Sequence, residues 1–195
     1  MGVYPALPFS EYLKAPGWVS SALRAMRTGP PAMVKWESEN PRADTDATTI
    51  GTACHARILT PDVYEATYCE KPEGMSFAST AGKAWRDDPE RAGKKILTAD
   101  QSATVKAVHA AFMSKRVARE SLEAALGVEH SLFWNCSQSS EHCKGRPDMY
   151  GDGWGVDLKI SRHAVDRGIA FRAYVEGWMH QMAHYSNGAA HCGIH

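Results

Sequence analysis

Two short runs decide the fold: Gly145-Arg146-Pro147-Asp148 and, beyond a Gly151-Asp152-Gly153 step, Gly155-Val156-Asp157-Leu158-Lys159. A Gly-Asp-Gly step between two such runs signals a tight turn. Residues 143–150 and 154–160 are therefore expected to be strands of one hairpin. Side chains alternate along a strand, so Asp157 and Lys159 share one face, while Val156, Leu158 and Ile160 form the other, apolar face. A hairpin symmetric about Asp152-Gly153 sets Asp148 opposite Asp157. Two like charges across a strand pair repel. A divalent cation between them removes that cost, and carboxylate oxygens suit Mg²⁺ or Mn²⁺. Lys159 then has a place beside the metal, where its ammonium can orient water or stabilise charge developing on a phosphate. Glu129, in a strand expected over 128–135, offers a third carboxylate. An Asp-x-Lys on an alternating strand is also a common solvated ion pair, so this motif needs its neighbours.

Working upstream, Thr98 and Gln101 form a capping-box pattern, and the helix after them is expected to reach about Leu126, stopped by Gly127. The segment from Cys69 to Lys95 is rich in Gly, Lys, Asp and Glu, lacks periodicity, and reads as a long surface loop. Its Lys83, Arg86, Arg91, Lys94 and Lys95 suit either DNA contact or plain solvation. Pro61 opens a short helix to about Glu70. Before it, Thr48 or Thr49 caps a helix that runs through His55. Residues 41–46 read as a polar loop. Ser10 to Met26 reads as helix interrupted at Pro16-Gly17, with Gly29-Pro30-Pro31 as a breaker. Downstream, a last helix is expected from about Arg167 to Asn187. Helices, then a meander, then a helix give a mixed α/β domain in which helices flank a small mixed sheet.

Length and composition set limits on this. The 195 residues suffice for one domain, expected as a single unit over 1–195 with a mostly helical part at 1–127 and the strands and last helix at 128–195. With 44% hydrophobic and 23% charged residues the chain reads as globular rather than disordered. No apolar run suits a membrane span, and no secretory signal opens the chain. Five irregularly spaced cysteines argue against a disulfide scaffold and suit a reducing cytoplasm. Neither His130, Cys136, His142 and Cys143 nor His191, Cys192 and His195 shows the paired spacing of a structural zinc site. A formal net charge of zero argues against a non-specific nucleic-acid coat and leaves room for an enzyme with a local basic track.

Five blocks in order carry a family resemblance. They are Trp18-Val-Ser-Ser-Ala-Leu; Gly51-Thr-Ala-Cys-His55-Ala-Arg-Ile-Leu-Thr-Pro61; Glu129-His-Ser-Leu-Phe-Trp134; Cys143 to Asp148 with Asp157-Leu-Lys159; and Tyr174 with His180-Gln-Met-Ala-His-Tyr185. Together they resemble the RecE-type (exonuclease VIII-like) phage and prophage exodeoxyribonucleases. These belong to the PD-(D/E)XK superfamily, with a restriction-endonuclease-like core shared with lambda exonuclease and the RecB nuclease domain. The resemblance implies that His55, Asp148, Asp157 and the Leu158 carbonyl ligate metal, with Glu129 on a second metal or acting through water. Lys159 would be the catalytic lysine. Gln181 would support it or the attacking water, and Tyr185, one turn on, would line the DNA side. Ser20 and Arg24 suit a 5′-phosphate at a helix start, or ordinary capping and surface charge. The implied activity is Mg²⁺-dependent 5′→3′ digestion of double-stranded DNA ends in phage-type recombination, by a homo-oligomer working with a single-strand annealing protein. An endonuclease on the same core and a non-catalytic DNA-binding or assembly module are the alternatives. The resembled family continues past the Gln-x-x-x-Tyr helix into further strand structure, so a shortened C-terminus is expected here.

Overall fold

Local chemistry sets most element starts in the computed structural model, which describes residues 1–27, 29–40, 43, 45–161 and 168–195. Strand β1 (Gly2–Tyr4) leads to helices α1 (Phe9–Lys14) and α2 (Ser20–Ala25), parted at Pro16-Gly17 as expected. Pro31 opens α3 (Pro31–Glu39) rather than only breaking the chain, because proline fits the first helical position, where no N–H partner is needed. Thr45, not Thr48 or Thr49, caps α4 (Asp46–Leu59), with Thr48 closing a reciprocal capping box. Then come α5 (Pro61–Thr67), β2 (Tyr68–Glu70), α6 (Thr80–Arg86), a 3₁₀ turn (Pro89–Arg91) and β3 (Lys95–Leu97). Thr98 and Gln101 form the expected capping box on α7 (Ala99–Ser114). That helix stops short of Leu126, and α8 (Arg116–Glu123) follows a break at Lys115. The Arg119 guanidinium donates to the Met113 carbonyl, satisfying one of the acceptors that the break exposes.

Strands β4 (Gly127–Val128), β5 (Ser131–Asn135), β6 (His142–Gly145), β7 (Met149–Gly151) and β8 (Trp154–Val156) precede α9 (Ile169–Val175) and α10 (Trp178–His191). The chain is thus mixed α/β, with ten α-helices among the described residues. None of these helices is long and apolar enough to cross a membrane. Residues 41, 42 and 44 of the expected polar loop, and Arg167 at the expected start of the last helix, lie outside the described residues. The last helix itself is divided by Gly177, whose φ of 69° suits glycine and ends α9 before α10 begins.

The chain forms two compact units, Asp44–Glu123 and, together, Met1–Ala43 with Ala124–His195. In the Asp44–Glu123 unit α4 packs on α7, and Ala53, Cys54, Ile58, Leu59, Tyr64, Tyr68, Leu97 and Val105 are buried. β2 and β3 pair in parallel, Tyr68 against Lys95. Their connection is the segment expected to be an irregular loop, and that expectation is corrected. Phe77 and Trp85 stack at 6.1 Å, with Lys71 over the first ring and Arg91 over the second. Such a cation–aromatic stack orders a segment without leaving a periodic apolar face. Arg91 also pairs with Asp88, Arg86 with Asp87, and Lys94 donates to the Glu65 carbonyl, so these cations tie the segment to itself.

The other unit holds two three-stranded sheets, ordered β1-β5-β6 and β4-β7-β8, all antiparallel. Three continuous strands were expected over 128–135, 143–150 and 154–160; the first two are each broken and the third ends early. Glu129 adopts φ 54°, a left-handed conformation incompatible with a strand, and parts β4 from β5. Pro147 has no N–H for a ladder bond and parts β6 from β7. The two breaks sit side by side, since the Glu129 N–H donates to the Asp148 carbonyl at 2.9 Å. Helix α10 packs on β5 and β6, where Leu132, Trp134 and Cys143 form a buried cluster, and Trp134 Nε1 donates to Asn187 Oδ1 at 3.0 Å.

Candidate active site

The hairpin β7–β8 brings the expected residues together. Met149 pairs with Val156, Tyr150 with Gly155 and Gly151 with Trp154. Gly153, at φ 75°, makes the turn that an L side chain would strain. One step beyond the last rung, this register faces Asp148 with Asp157. The ladder has ended there, so the Leu158 N–H, with no strand partner, donates to Asp148 Oδ2 at 2.5 Å. Asp148 is 7% exposed.

Beside it, a Glu129 carboxylate oxygen lies within 4.8 Å of one from Asp148. The left-handed backbone of Glu129 breaks the strand at this point. Arg146 Nε donates to Glu129 Oε2 at 2.8 Å, and its Nη1 donates at 3.0 Å to both the Leu7 carbonyl and Ser131 Oγ. The guanidinium also lies over the Phe9 and Tyr12 rings. Pinned on several sides, Arg146 offsets part of the charge of this acidic pair. Burial pushes the Tyr12 phenol up to about 12, against the pull of Arg146 and with a push from Glu129, so it stays protonated.

Asp157, Lys159 and Gln181 close a ring of contacts. Lys159 Nζ lies 2.5 Å from Asp157 Oδ2 and donates to Gln181 Oε1 at 2.8 Å. Gln181 Nε2 donates to Asp157 Oδ1 at 3.0 Å and to the Tyr185 hydroxyl oxygen at 3.0 Å. The amide orientation is dictated by its neighbours: the ammonium needs an acceptor and the carboxylate a donor. The Asp157 side chain is 8% exposed, while that of Lys159 remains reachable from solvent at 34%. Burial also drives the Tyr185 phenol far above its usual range, opposed by its hydrogen bond with Gln181 and helped by Asp157, Tyr12 and Asp148. It is therefore neutral, and its proton remains on oxygen at any working pH.

Glu129, Asp148, Asp157, Leu158, Lys159, Gln181 and Tyr185 thus stand in one unit, around the open end of one hairpin. His55 sits half-buried on α4 of the Asp44–Glu123 unit. Ser20 is the first residue of α2, where its side chain makes no cap, and Arg24 donates to the Glu176 carbonyl. The sequence reading missed Arg146 and Tyr12. Alternation along the strand would have found Arg146, which lies two residues before Asp148 and so on its face; Tyr12 carries no such signal. The acidic set offers hard oxygen donors, the chemistry that Mg²⁺ or Mn²⁺ prefers, and its charge exceeds what Lys159 and Arg146 supply. No protein-family model matches this chain, and no curated protein matches it.

Proposed function

We propose that this chain is a metal-dependent DNA nuclease of the PD-(D/E)XK class. Its likeness to RecE-type enzymes makes 5′→3′ digestion of double-stranded DNA ends the specific reading. The observation that carries it is the hairpin end, where the register sets Asp148 opposite Asp157 and Gln181 holds Lys159 against Asp157. Asp148, Asp157 and Glu129 would hold Mg²⁺ or Mn²⁺, with the Leu158 carbonyl and His55 added by the resemblance alone; such an ion polarises a phosphate and lowers the pKa of a bound water. Lys159 supplies a fixed positive charge to a phosphate oxygen as charge builds there. Gln181 fixes the direction of that ammonium, so little reorganisation is needed when the phosphate arrives. Arg146 keeps Glu129 from turning away. Tyr185, protonated and half-buried beneath Gln181, supports the amide from the other side. The reading extends to a homo-oligomer that feeds a single-strand annealing partner, again from the resemblance.

The test is digestion of linear and covalently closed duplex DNA, each with Mg²⁺ and with EDTA, beside Asp157→Ala and Lys159→Ala. Mg²⁺-dependent loss of linear DNA alone, abolished in both variants, is expected. Cleavage of the closed circle makes the enzyme an endonuclease. A folded wild type that cleaves neither refutes nuclease activity.

A further inference from the structure

At the junction of α9 and α10 stand side chains that no core uses. Phe171 and Tyr174 lie three residues apart on α9, hence on one face, and are 73% and 61% exposed; Met179, just inside α10, is 67% exposed. Single exposed apolar residues need no explanation, but this group is interleaved with cations. The Arg27 guanidinium carbon lies 6.0 Å from the centre of the Tyr174 ring, and its Nη1 stands 3.4 to 3.5 Å from the ring nitrogens of His180. Glu176, a carboxylate at this corner, is already beside Arg24, at 3.8 Å.

We infer that this corner binds single-stranded DNA, with bases stacking on Phe171 and Tyr174 and with Arg27 and His180 facing the phosphates. Exposed rings next to guanidinium groups suit this ligand, because every base offers a π-face and every nucleotide an anion, whatever the sequence. A purely apolar partner would desolvate the Arg27 charge with no anion to offset it, only the His180 ring beside it. A rigid duplex keeps its bases stacked on one another and leaves no face for these rings. The corner adjoins the proposed site along the chain: His180 precedes Gln181, whose amide holds Lys159 and Asp157. The inference takes its purpose from the nuclease reading, as a track for a strand near the hairpin, but its affinity does not depend on cleavage.

The test is fluorescence anisotropy of a labelled oligothymidylate of about 12 nucleotides, a length within the usual site size, in EDTA with the full chain. Phe171→Ala and Tyr174→Ala should each weaken binding about fivefold or more, as loss of one stacked base does. Tyr174→Phe, which keeps the ring, should bind as wild type does. Arg27→Ala should weaken binding and flatten its salt dependence. Duplex affinity should not fall by the same factor in the aromatic variants; an equal fall overturns the single-strand assignment. Concentration-dependent self-association abolished by Phe171→Ala, with oligothymidylate affinity unchanged, assigns the corner to a second copy of the chain and also overturns it. Digestion of linear duplex by a wild type that does not bind oligothymidylate sinks this inference and leaves the nuclease reading standing. Tight binding without any digestion does the reverse.

Discussion

Two carboxylate–ammonium pairs in this chain share a contact distance of 2.5 Å and differ in everything around it. Glu70 and Lys106 lie in the Asp44–Glu123 unit, with side chains 38% and 53% exposed. Lys106 draws the Glu70 carboxyl below its usual range, with Ser102 and Arg57 helping against the opposing effect of burial. One acid there faces two cations and a hydroxyl, so nothing in its surroundings calls for another positive charge. Asp157 is almost closed off from water, and across the hairpin stands Asp148 with Glu129 beside it. Three acids there have two cations beside them, Lys159 on Asp157 and Arg146 on Glu129. Pair distance does not separate a strut from a site. Burial and local charge balance do, because a surplus of buried negative charge is stable only when something positive completes it.

The two pairs should differ most in cleavage. Asp157→Ala and Lys159→Ala should each lower the rate of linear duplex digestion by about a hundredfold or more, the scale of losing one preorganised charge at a reacting phosphate. Glu70→Gln should leave that rate unchanged. Thermal unfolding gives a second readout that needs no substrate. Mg²⁺ should raise Tm in wild type and in Glu70→Gln, because an ion that binds only the native state stabilises it. Asp148→Asn, which keeps an oxygen to accept from the Leu158 N–H, should lose that response. An equal Mg²⁺ shift in Asp148→Asn would remove the acidic cluster from the ion's site.

Lys144 is a buried cation with no carboxylate among its hydrogen-bond partners in the described residues. It is as buried as Asp148 and Asp157, yet its ammonium donates to the carbonyls of Tyr12, Leu13 and Ala15, at 2.8, 3.1 and 2.6 Å. Those carbonyls lie in and just past the last turn of α1, where helical acceptors lack partners. A cation with three backbone acceptors is a brace, and burial alone pulls its pKa down. Lys144→Met should therefore cost about 2–3 kcal/mol of stability, from the acceptors left unpaired, read as the urea midpoint. Lys159→Met also strips the cation from the nearly buried Asp157 carboxylate, a loss that Mg²⁺ should make good in that variant and not in Lys144→Met.

The next effect is a pH dependence. His184 packs against the Trp134 ring at 4.7 Å, with Nε2 3.0 Å from the Lys144 carbonyl. Burial lowers its pKa, only partly offset by hydrogen bonds to the Lys144 and Trp18 carbonyls. The folded value is thus below the unfolded one of about 6.5, and the unfolded chain binds the extra proton. Stability from this group is complete above that pH and falls as pH drops below it, levelling off under the folded pKa. Tm should hold from pH 8 to about 7 and decline toward pH 5. His184→Gln should flatten that decline in part, because burial also lowers His109 and His130. A decline as steep in the variant would take His184 out of the account.

What could be read from the sequence follows the range of the forces involved. The Thr98–Gln101 box and the Gly151-Asp152-Gly153 turn depend on residues within a few positions, and both were legible. So was the Asp148–Asp157 register, because one turn fixes it. Gln181 was tied to Lys159 only through the resemblance, as a support for it or for the attacking water, since 22 positions separate the two and no local pattern links them. The strand breaks divide unequally. Pro147 announces its break by lacking an N–H, whereas the left-handed backbone of Glu129 depends on the Asp148 carbonyl and Arg146, which approach only in the fold. The stack of Lys71, Phe77, Trp85 and Arg91 stayed hidden for the same reason: its order comes from cation–aromatic contacts that have no period.

Exposed ion pairs contribute at most about 1 kcal/mol, because water already solvates both partners and holding two long side chains together opposes the gain. Glu70→Gln should lower stability by no more than that, measured in urea, and high salt should shrink the difference further. The amide can still accept a hydrogen bond from Lys106, and that ammonium, half-exposed, returns readily to water. A loss several times larger would mean that Glu70 holds Arg57 and Tyr64 in place as well as Lys106. Arg57 lies over the Tyr64 ring at 5.1 Å, so Arg57→Met should then show the same loss. In that case the pair would be one member of a buried network, and charge balance rather than exposure would be what distinguishes it from Asp157 and Lys159.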